Sequence, residues 1–280
     1  MVKLKMNDSK KRNQTIGLVL IICAFAGIFG YSLYKIVSIE SGYWSARKTY
    51  ESVRSYISHG QEGIVPNDSS SFNLDDPLIR GAERENEASP IDADFKALRE
   101  DINSEIVAWL YCPGDNSKIN YPVVQHSDDS FYLTHGIHKE DSASGALFLQ
   151  SQIPSDFSAK NNIIHGHHMK DSSMLATLEY WTKQEYYDKH PVMYLNTAEN
   201  GNYRLDIIAA FVTPAAGTAY NTLFSETDEF MDWLAWIGEN NRIHTDVEVH
   251  FFDRFVTLST CAYDYEDARS IVIAKMIPIM

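Results

Sequence analysis

Cysteine is scarce in this sequence. Its 280 residues hold three, Cys23, Cys112 and Cys261. An odd number with no regular spacing excludes a disulfide framework. Basic residues are also short: 24 Lys and Arg stand against 38 Asp and Glu, a formal charge of −14. A nucleic-acid partner requires a basic face, so none is expected. Internal repeats are absent. Long apolar runs are absent too, with one exception near the start. The whole chain is 44% hydrophobic, enough for one substantial core or two small ones. In a chain that works outside the cell, so few cysteines point to a thiol kept free. Cys112 reads as a small buried hydrophobe.

The exception is IGLVLIICAFAGIFGYSLY, Ile16 to Tyr34, which carries no charge. About 20 apolar residues cross a bilayer as a helix. Lys3, Lys5, Lys10, Lys11 and Arg12 precede it against Asp8 alone, so residues 1–15 carry a net +4 and leave −18 to the rest. The positive-inside rule then keeps the N-terminus in the cytoplasm and sends the long remainder outside. A cleaved signal peptide would have a shorter apolar region and a small-residue cleavage site, and YKIVSIESGYW offers none. The expected organisation is a cytoplasmic arm (1–15), a transmembrane signal anchor (16–37), a helical stalk and linker (38–90) and a catalytic domain (91–280). Within the stalk, Gly60 is a plausible helix stop, and 61–90 is loop-like, rich in Ser, Asn, Asp, Glu and Pro.

A short helix follows, with Asp92 or Asp94 as cap and Phe95, Leu98 and Ile102 on one face. From about Ile106 the pattern turns to strands: IVAWLYC, INYPVVQ, GALFLQ, NNIIHG, PVMYLN, YRLDIIAAFV, VEVHFF, FVTLSTC and SIVIAKMI. Such a run predicts a mostly β fold, a sandwich or a closed barrel. Two helical inserts interrupt it. In SETDEFMDWLAWIGENN, Phe230, Trp233, Leu234 and Ile237 form an apolar stripe, read as core packing. DSSMLATLEYWTKQEYYDKH is the other.

TLSTCAYDYEDAR, residues 257–269, ends a strand on Cys261. Alternation sets Phe255, Thr257 and Ser259 on one face and Val256, Leu258 and Thr260 on the other. The local sequence leaves a nucleophile and an inert thiol equally open. A nucleophilic thiol has a free pKa of about 8.5 and needs a base or cation nearby. IIHGHHM supplies His165, His167 and His168 at a strand end, and His167, just past Gly166, is placed to lean over a neighbouring strand. Arg269 begins the last strand. Beside Cys261 its guanidinium would favour thiolate and hold an oxyanion; alone it reads as a surface residue paired with Glu266 or Asp267. His165 and His167, with His135 and His138, also allow a metal-site reading, but no acidic or Cys partner stands at a recognisable spacing.

These motifs together resemble the sortases, membrane-anchored cysteine transpeptidases of Gram-positive bacteria. Thr257-Leu258-Ser259-Thr260-Cys261 with Arg269 matches their TLxTC-and-Arg signature, and the family's histidine maps to His167. MKDSSMLATLEYW, INYPVVQHSDDSFYL, GALFL and the helical insert before the Cys strand resemble class B members. The likeness runs from about Phe95 to Met276. Two positions depart from it: His165 stands where many class B members have Tyr, and Asp129 where Asn is common.

The resemblance implies a closed sortase-type β-barrel with N-terminal helices and a helical insert before the catalytic strand. It implies cleavage of a C-terminal sorting motif after Thr through a thioacyl-enzyme on Cys261. Arg269 would steady the oxyanion and His167 protonate the leaving amine. Leu133, Ser259 and Thr260 would line the peptide groove. The implied partners are secreted proteins bearing a sorting motif, NPQTN-like in class B, and a peptidoglycan-precursor amine; no cofactor or metal is implied. Pilin joining and a catalytically silent surface scaffold are the alternatives.

Overall fold

A computed structural model describes residues 2–59, 88–114, 118–262 and 267–280. The chain parts into two units, Met1–Arg47 and Lys48–Met280. A long helix, α1 (Val2–Val53), begins it. Its apolar stretch, with a mean hydropathy of 2.3, is long enough to cross a membrane, and side chains such as Leu20, Phe25 and Phe29 are exposed. The helix stop expected at Gly60, and the linker of 61–90 up to residue 87, lie outside the described residues. Ahead of them, β1 (Ile57–His59) pairs antiparallel with β2 (Ile91–Ala93), a ladder the sequence did not announce.

Asp94, not Asp92, caps the helical turn that follows: its carboxylate accepts the Ala97 N–H at 2.9 Å. Asp92 belongs to β2. The turn buries Leu98 and relaxes into a π-type turn ending at Ile102.

Eight strands then close a barrel: β3 (Ile106–Tyr111), β4 (Asn120–Val124), β5 (Leu147–Leu149), β6 (Asn161–His165), β7 (Val192–Thr197), β8 (Gly201–Pro214), β9 (Arg254–Cys261) and β10 (Ala268–Ile279). Their order around the barrel is β10-β8-β7-β3-β4-β5-β6-β9. Two contacts are parallel, β4 with β5 and β6 with β9; the others are antiparallel. A barrel of this size is filled by its own side chains, which is why its strands read as nearly continuous apolar runs.

Both faces of β9 are buried, from Phe255 through Thr260. The face of Phe255, Thr257 and Ser259 aligns with Ile271 and Ile273 of β10 and is covered by the second helix, α2 (Thr227–Asn240). Phe230, Trp233 and Ile237 of α2 pack on Phe255, Phe211, Ile271 and Ile273. Each such side chain contributes roughly 1.5–3 kcal/mol by leaving water. The apolar stripe at i, i+3 and i+7 is therefore core, as its spacing predicts.

Two expected elements take another form. Val247–Phe252 (VEVHFF) is not a strand. Its residues do alternate between half-buried and exposed, and Val247, Val249 and Phe251 pack on the α2 cluster. The closed barrel has no free edge, so the segment joins no ladder, and its last two residues turn. The insert around residues 171–190 becomes a 3₁₀ stretch, Ala176–Thr182, followed by one α-turn, Gln184–Tyr187, rather than a regular helix.

Candidate active site

Three adjacent strands align the residues of interest. β6 runs parallel to β9, with His165 opposite Ser259, and Gly166 N–H continues the pairing to the Ser259 carbonyl at 3.1 Å. The same register, carried two residues past β6, brings His167 level with Cys261. On the other side of β9, Arg269 is the direct antiparallel partner of Cys261. The next pair, Ala262 and Ala268, is hydrogen-bonded at 2.8 Å. Cys261 and Arg269 therefore form a non-hydrogen-bonded pair, the kind in which facing side chains come closest.

Cys261, His167 and Arg269 line one cavity of about 530 Å³. Leu133, Ser259 and Thr260 line it as well, with Asp129, Phe148, Gln150, His165, Tyr220 and the 215–217 segment. Cys261 is a free, half-buried thiol, whereas Cys112 is buried. The Arg269 guanidinium donates to the Ala268 carbonyl at 2.9 Å. Among the described residues no carboxylate forms an ion pair with it; Glu266, one of its two expected partners, lies outside them.

His167 is held by a backbone oxygen: its Nε2 is 2.6 Å from the Leu133 carbonyl. A carbonyl can only accept, so Nε2 carries the proton and Nδ1 is left for other work. Gly166 is required by space. A Cβ there would strike Leu147 and stand 2.8 Å from Leu175, the two side chains that close the core behind His167.

His165 fills the cavity's inner wall. Its ring stacks on Phe148, with centroids 5.2 Å apart, and lies nearly parallel to Tyr220 at 6.2 Å. Its Nε2 meets the Gln150 side-chain oxygen at 3.3 Å. Burial lowers its pKa to about 4, against the pull of Asp129 and with help from Arg269. The ring is thus a neutral plate at ordinary pH.

Hydroxyls divide by face. The Ser259 Oγ and the Tyr220 OH share a hydrogen bond of 2.8 Å. Thr257 Oγ1 donates to the Asn161 side-chain oxygen at 2.7 Å, and the Asn161 amide donates to the carbonyls of Ala219 (3.3 Å) and Asn221 (2.9 Å). The 218–221 wall is fastened to β9 through these bonds. Thr260 and Ser270, cross-strand partners on the opposite face, bury their hydroxyls without a hydrogen-bond partner among the described residues.

Sequence reasoning missed Tyr220, Gln150 and Phe148. Phe148 and Gln150 carried a signal, since they share parity in GALFLQ beside the strand that ends at His165. Tyr220 sits in a loop with no motif around it. It also missed Glu105, which gathers Tyr132 OH (2.6 Å), Lys139 Nζ (2.8 Å) and His126 Nδ1 (3.2 Å). Burial raises the Glu105 pKa, but these three donors outweigh it and hold the carboxyl below its ordinary value. The metal reading finds its histidines engaged elsewhere: His135 stacks on Phe131 and pairs with Asp141. No group of three His, Cys, Asp or Glu side chains suited to a metal occurs among the described residues.

No protein-family model matches the chain. Two curated relatives do. Sortase B of Listeria monocytogenes serovar 1/2a is 33% identical over 180 residues, 63% of this chain and 71% of that protein. Sortase B of Staphylococcus aureus is 32% identical over 187 residues, 66% of this chain and 75% of that protein. A solved structure of sortase B from B. anthracis, in complex with AAEK1, superposes with a TM-score of 0.66 at 28% identity. It covers 85% of this chain and 99% of its own.

Proposed function

Since the chain belongs to the class B sortases, we propose that it is a cysteine transpeptidase in which Cys261, His167 and Arg269 transfer a sorted protein onto a cell-wall amine. The observation that carries this reading is the convergence of the three side chains on one cavity, from three neighbouring strands.

The chemistry runs in two halves. The Cys261 thiolate attacks the carbonyl of a threonine in the substrate's C-terminal sorting motif, and the carbonyl π-electrons move onto oxygen. Arg269, with five fixed donors and no competing carboxylate among the described residues, holds that oxyanion; one such donor contributes about 3–4 kcal/mol. The tetrahedral adduct collapses to a thioester as the C–N bond breaks, and the departing amine takes the proton of the His167 imidazolium. In the second half, an amine of a peptidoglycan precursor attacks the thioester and gives its proton to His167. The Cys261 thiolate leaves and the starting state returns.

Leu133, Ser259 and Thr260 form part of the groove for the sorting peptide, with His165, Phe148 and Tyr220 as its apolar wall. Residues 16–37 anchor the protein in the membrane, 1–15 remain in the cytoplasm, 38–90 are stalk and linker, and the catalytic domain, 91–280, works outside. The apolar length of α1 supports the anchor, and the basic N-terminal arm supports the orientation.

The test uses the full chain in detergent micelles and a quenched-fluorescent peptide library built on NPQTN, with and without an added amine. We expect cleavage at Thr, a ligated product when amine is present, and a thioester adduct trapped on Cys261. A Cys261→Ala chain that cleaves as well as the parent would overturn the mechanism. Cleavage with no ligated product at any amine concentration would make the protein a hydrolase.

A further inference from the structure

Gly145 stands two residues before the first residue of β5, with a backbone φ of +57°. That conformation favours glycine, but the surroundings demand it more strongly. A Cβ at this position would collide with the Tyr132 carbonyl oxygen. It would also lie 3.0 Å from Cδ2 of the His167 ring and 3.3 Å from the Leu133 carbonyl oxygen. This is the same Leu133 oxygen that receives Nε2–H of His167 at 2.6 Å. The edge of the imidazole therefore lies in the space that a side chain on residue 145 would fill.

The walls of this space are fixed. Gly145 N–H donates to the Ser142 carbonyl at 3.1 Å, and Ala146 N–H donates to the Tyr132 carbonyl at 3.0 Å. The Tyr50 hydroxyl donates to the Gly145 carbonyl at 2.9 Å. The Tyr132 ring is buried, and its hydroxyl is held by the Glu105 carboxylate at 2.6 Å and the Asn103 amide at 2.8 Å. Residue 145 and the 131–133 segment are thus each tethered by hydrogen bonds that any displacement would strain.

We propose that Gly145 is a positioning residue for His167, its missing side chain forming the seat that holds Nε2–H on the Leu133 carbonyl and leaves Nδ1 as the nitrogen that gives and takes the proton. This rests on the reading of His167 as the proton carrier. Filling the seat turns or lifts the ring by a fraction of its own width, and misplacement of a reacting group by about 1 Å can cost roughly 10²-fold in rate.

The experiment compares the full chain in micelles with Gly145→Ala, Gly201→Ala and His167→Ala, on the NPQTN-library peptide that the parent cleaves fastest. Gly201 is the control for strain: its φ is +83°, yet nothing lies within 4 Å of a Cβ there. Both Gly→Ala changes should lower the melting temperature, but only Gly145→Ala should lower kcat, by about 10²-fold, with KM within about twofold of the parent. Equal kcat in the two variants, with His167→Ala inert, overturns the seat and leaves the functional reading intact. A fully active His167→Ala overturns both. Should Gly145→Ala fail to fold, ¹⁵N-histidine NMR of the unaltered chain decides. The neutral His167 ring is expected as the Nε2-protonated tautomer, identified by its loss in His167→Ala, and an Nδ1-protonated ring overturns the proposal.

Discussion

Cys261 and Arg269 face each other across the final paired rungs of the β9–β10 ladder, so the connection between a thiol and a guanidinium eight residues apart is made by backbone pairing. The register delivers them to one place before any side-chain contact is considered. It also sets what each substitution at Arg269 should do. Arg269→Ala is expected to lower kcat/KM by about 10²–10³-fold through loss of an oxyanion donor. Arg269→Lys keeps the charge and loses the planar fork, and should recover only part of that loss. Neither change should move the melting temperature much, since among the described residues Arg269 donates only to the neighbouring Ala268 carbonyl. Single-turnover acylation rates with the fastest library peptide check both.

Cys112 and Cys261 should separate by reactivity. Cys112, the residue that follows β3, is 3% exposed, whereas Cys261 is half-buried at the cavity. In a Cys23→Ala background, iodoacetamide should modify Cys261 in preference to Cys112, with peptide mass spectrometry reading the site. Equal inertness of the two thiols would count against a nucleophile at 261.

His165 makes stability depend on pH. Its folded pKa falls from 6.5 to about 4 because burial disfavours the charged ring. The unfolded chain therefore binds a proton at a higher pH than the folded one. Stability contributed by the neutral ring is present above about pH 6.5 and is lost as pH falls toward 4, by on the order of 3 kcal/mol across that window. His165→Phe keeps a stacking ring without a titrating nitrogen and should flatten this slope. Denaturant midpoints at a series of pH values test it. A slope that the substitution leaves unchanged must come from other groups.

How much of this was legible beforehand depended on the range of the signal. Local period and composition marked α2 and eight barrel strands, because each buries a face that its own sequence must supply, and an uncharged apolar run marked α1. A strand end, a glycine and a strand start made Cys261, His167 and Arg269 candidates one by one, but the local sequence left each role open and only the resemblance to the sortases joined them. Pairing was not legible. Nothing within IIHGHHM announces a parallel register with β9, and the same is true of β1 with β2. VEVHFF alternates as a strand does, but whether an alternating segment finds a ladder depends on a free edge, which a closed barrel lacks. Tyr220, Gly145 and Glu105 act through neighbours distant in sequence, so no spacing rule reaches them.

Tyr132 tests whether the Glu105 network supports the segment that carries Leu133. Its hydroxyl donates to Glu105 at 2.6 Å and accepts from Asn103 at 2.8 Å. Tyr132→Phe leaves a half-buried carboxylate and a buried amide each short of one partner, so a loss of about 1–3 kcal/mol is expected. Amide exchange should rise in residues 131–135 more than in β9, as measured by hydrogen–deuterium mass spectrometry. Uniform loss across the barrel would mean that the bond stabilises the fold globally without ordering this segment.

Asn161 joins the TLSTC strand to the far wall of the cavity, and its chemistry makes a sharp prediction. It is fully buried. Its oxygen accepts from Thr257, and its amide donates to two carbonyls of the 219–221 segment. Asn161→Asp keeps the shape and removes both donors, setting an acceptor against two carbonyl oxygens at a fully buried position. The carboxyl must then take up a proton or unfold its surroundings. Thr257→Val removes only one donor and leaves the Asn161 oxygen unpartnered, at about 1–3 kcal/mol. The expected order of melting temperature is parent, then Thr257→Val, then Asn161→Asp. Because the fault in Asn161→Asp lies in a wall bearing Tyr220, a peptide groove formed there should show it as a raised KM before kcat falls. If Asn161→Asp instead lowered kcat with KM unchanged, the 218–221 wall would be acting on the reacting groups and not on peptide binding.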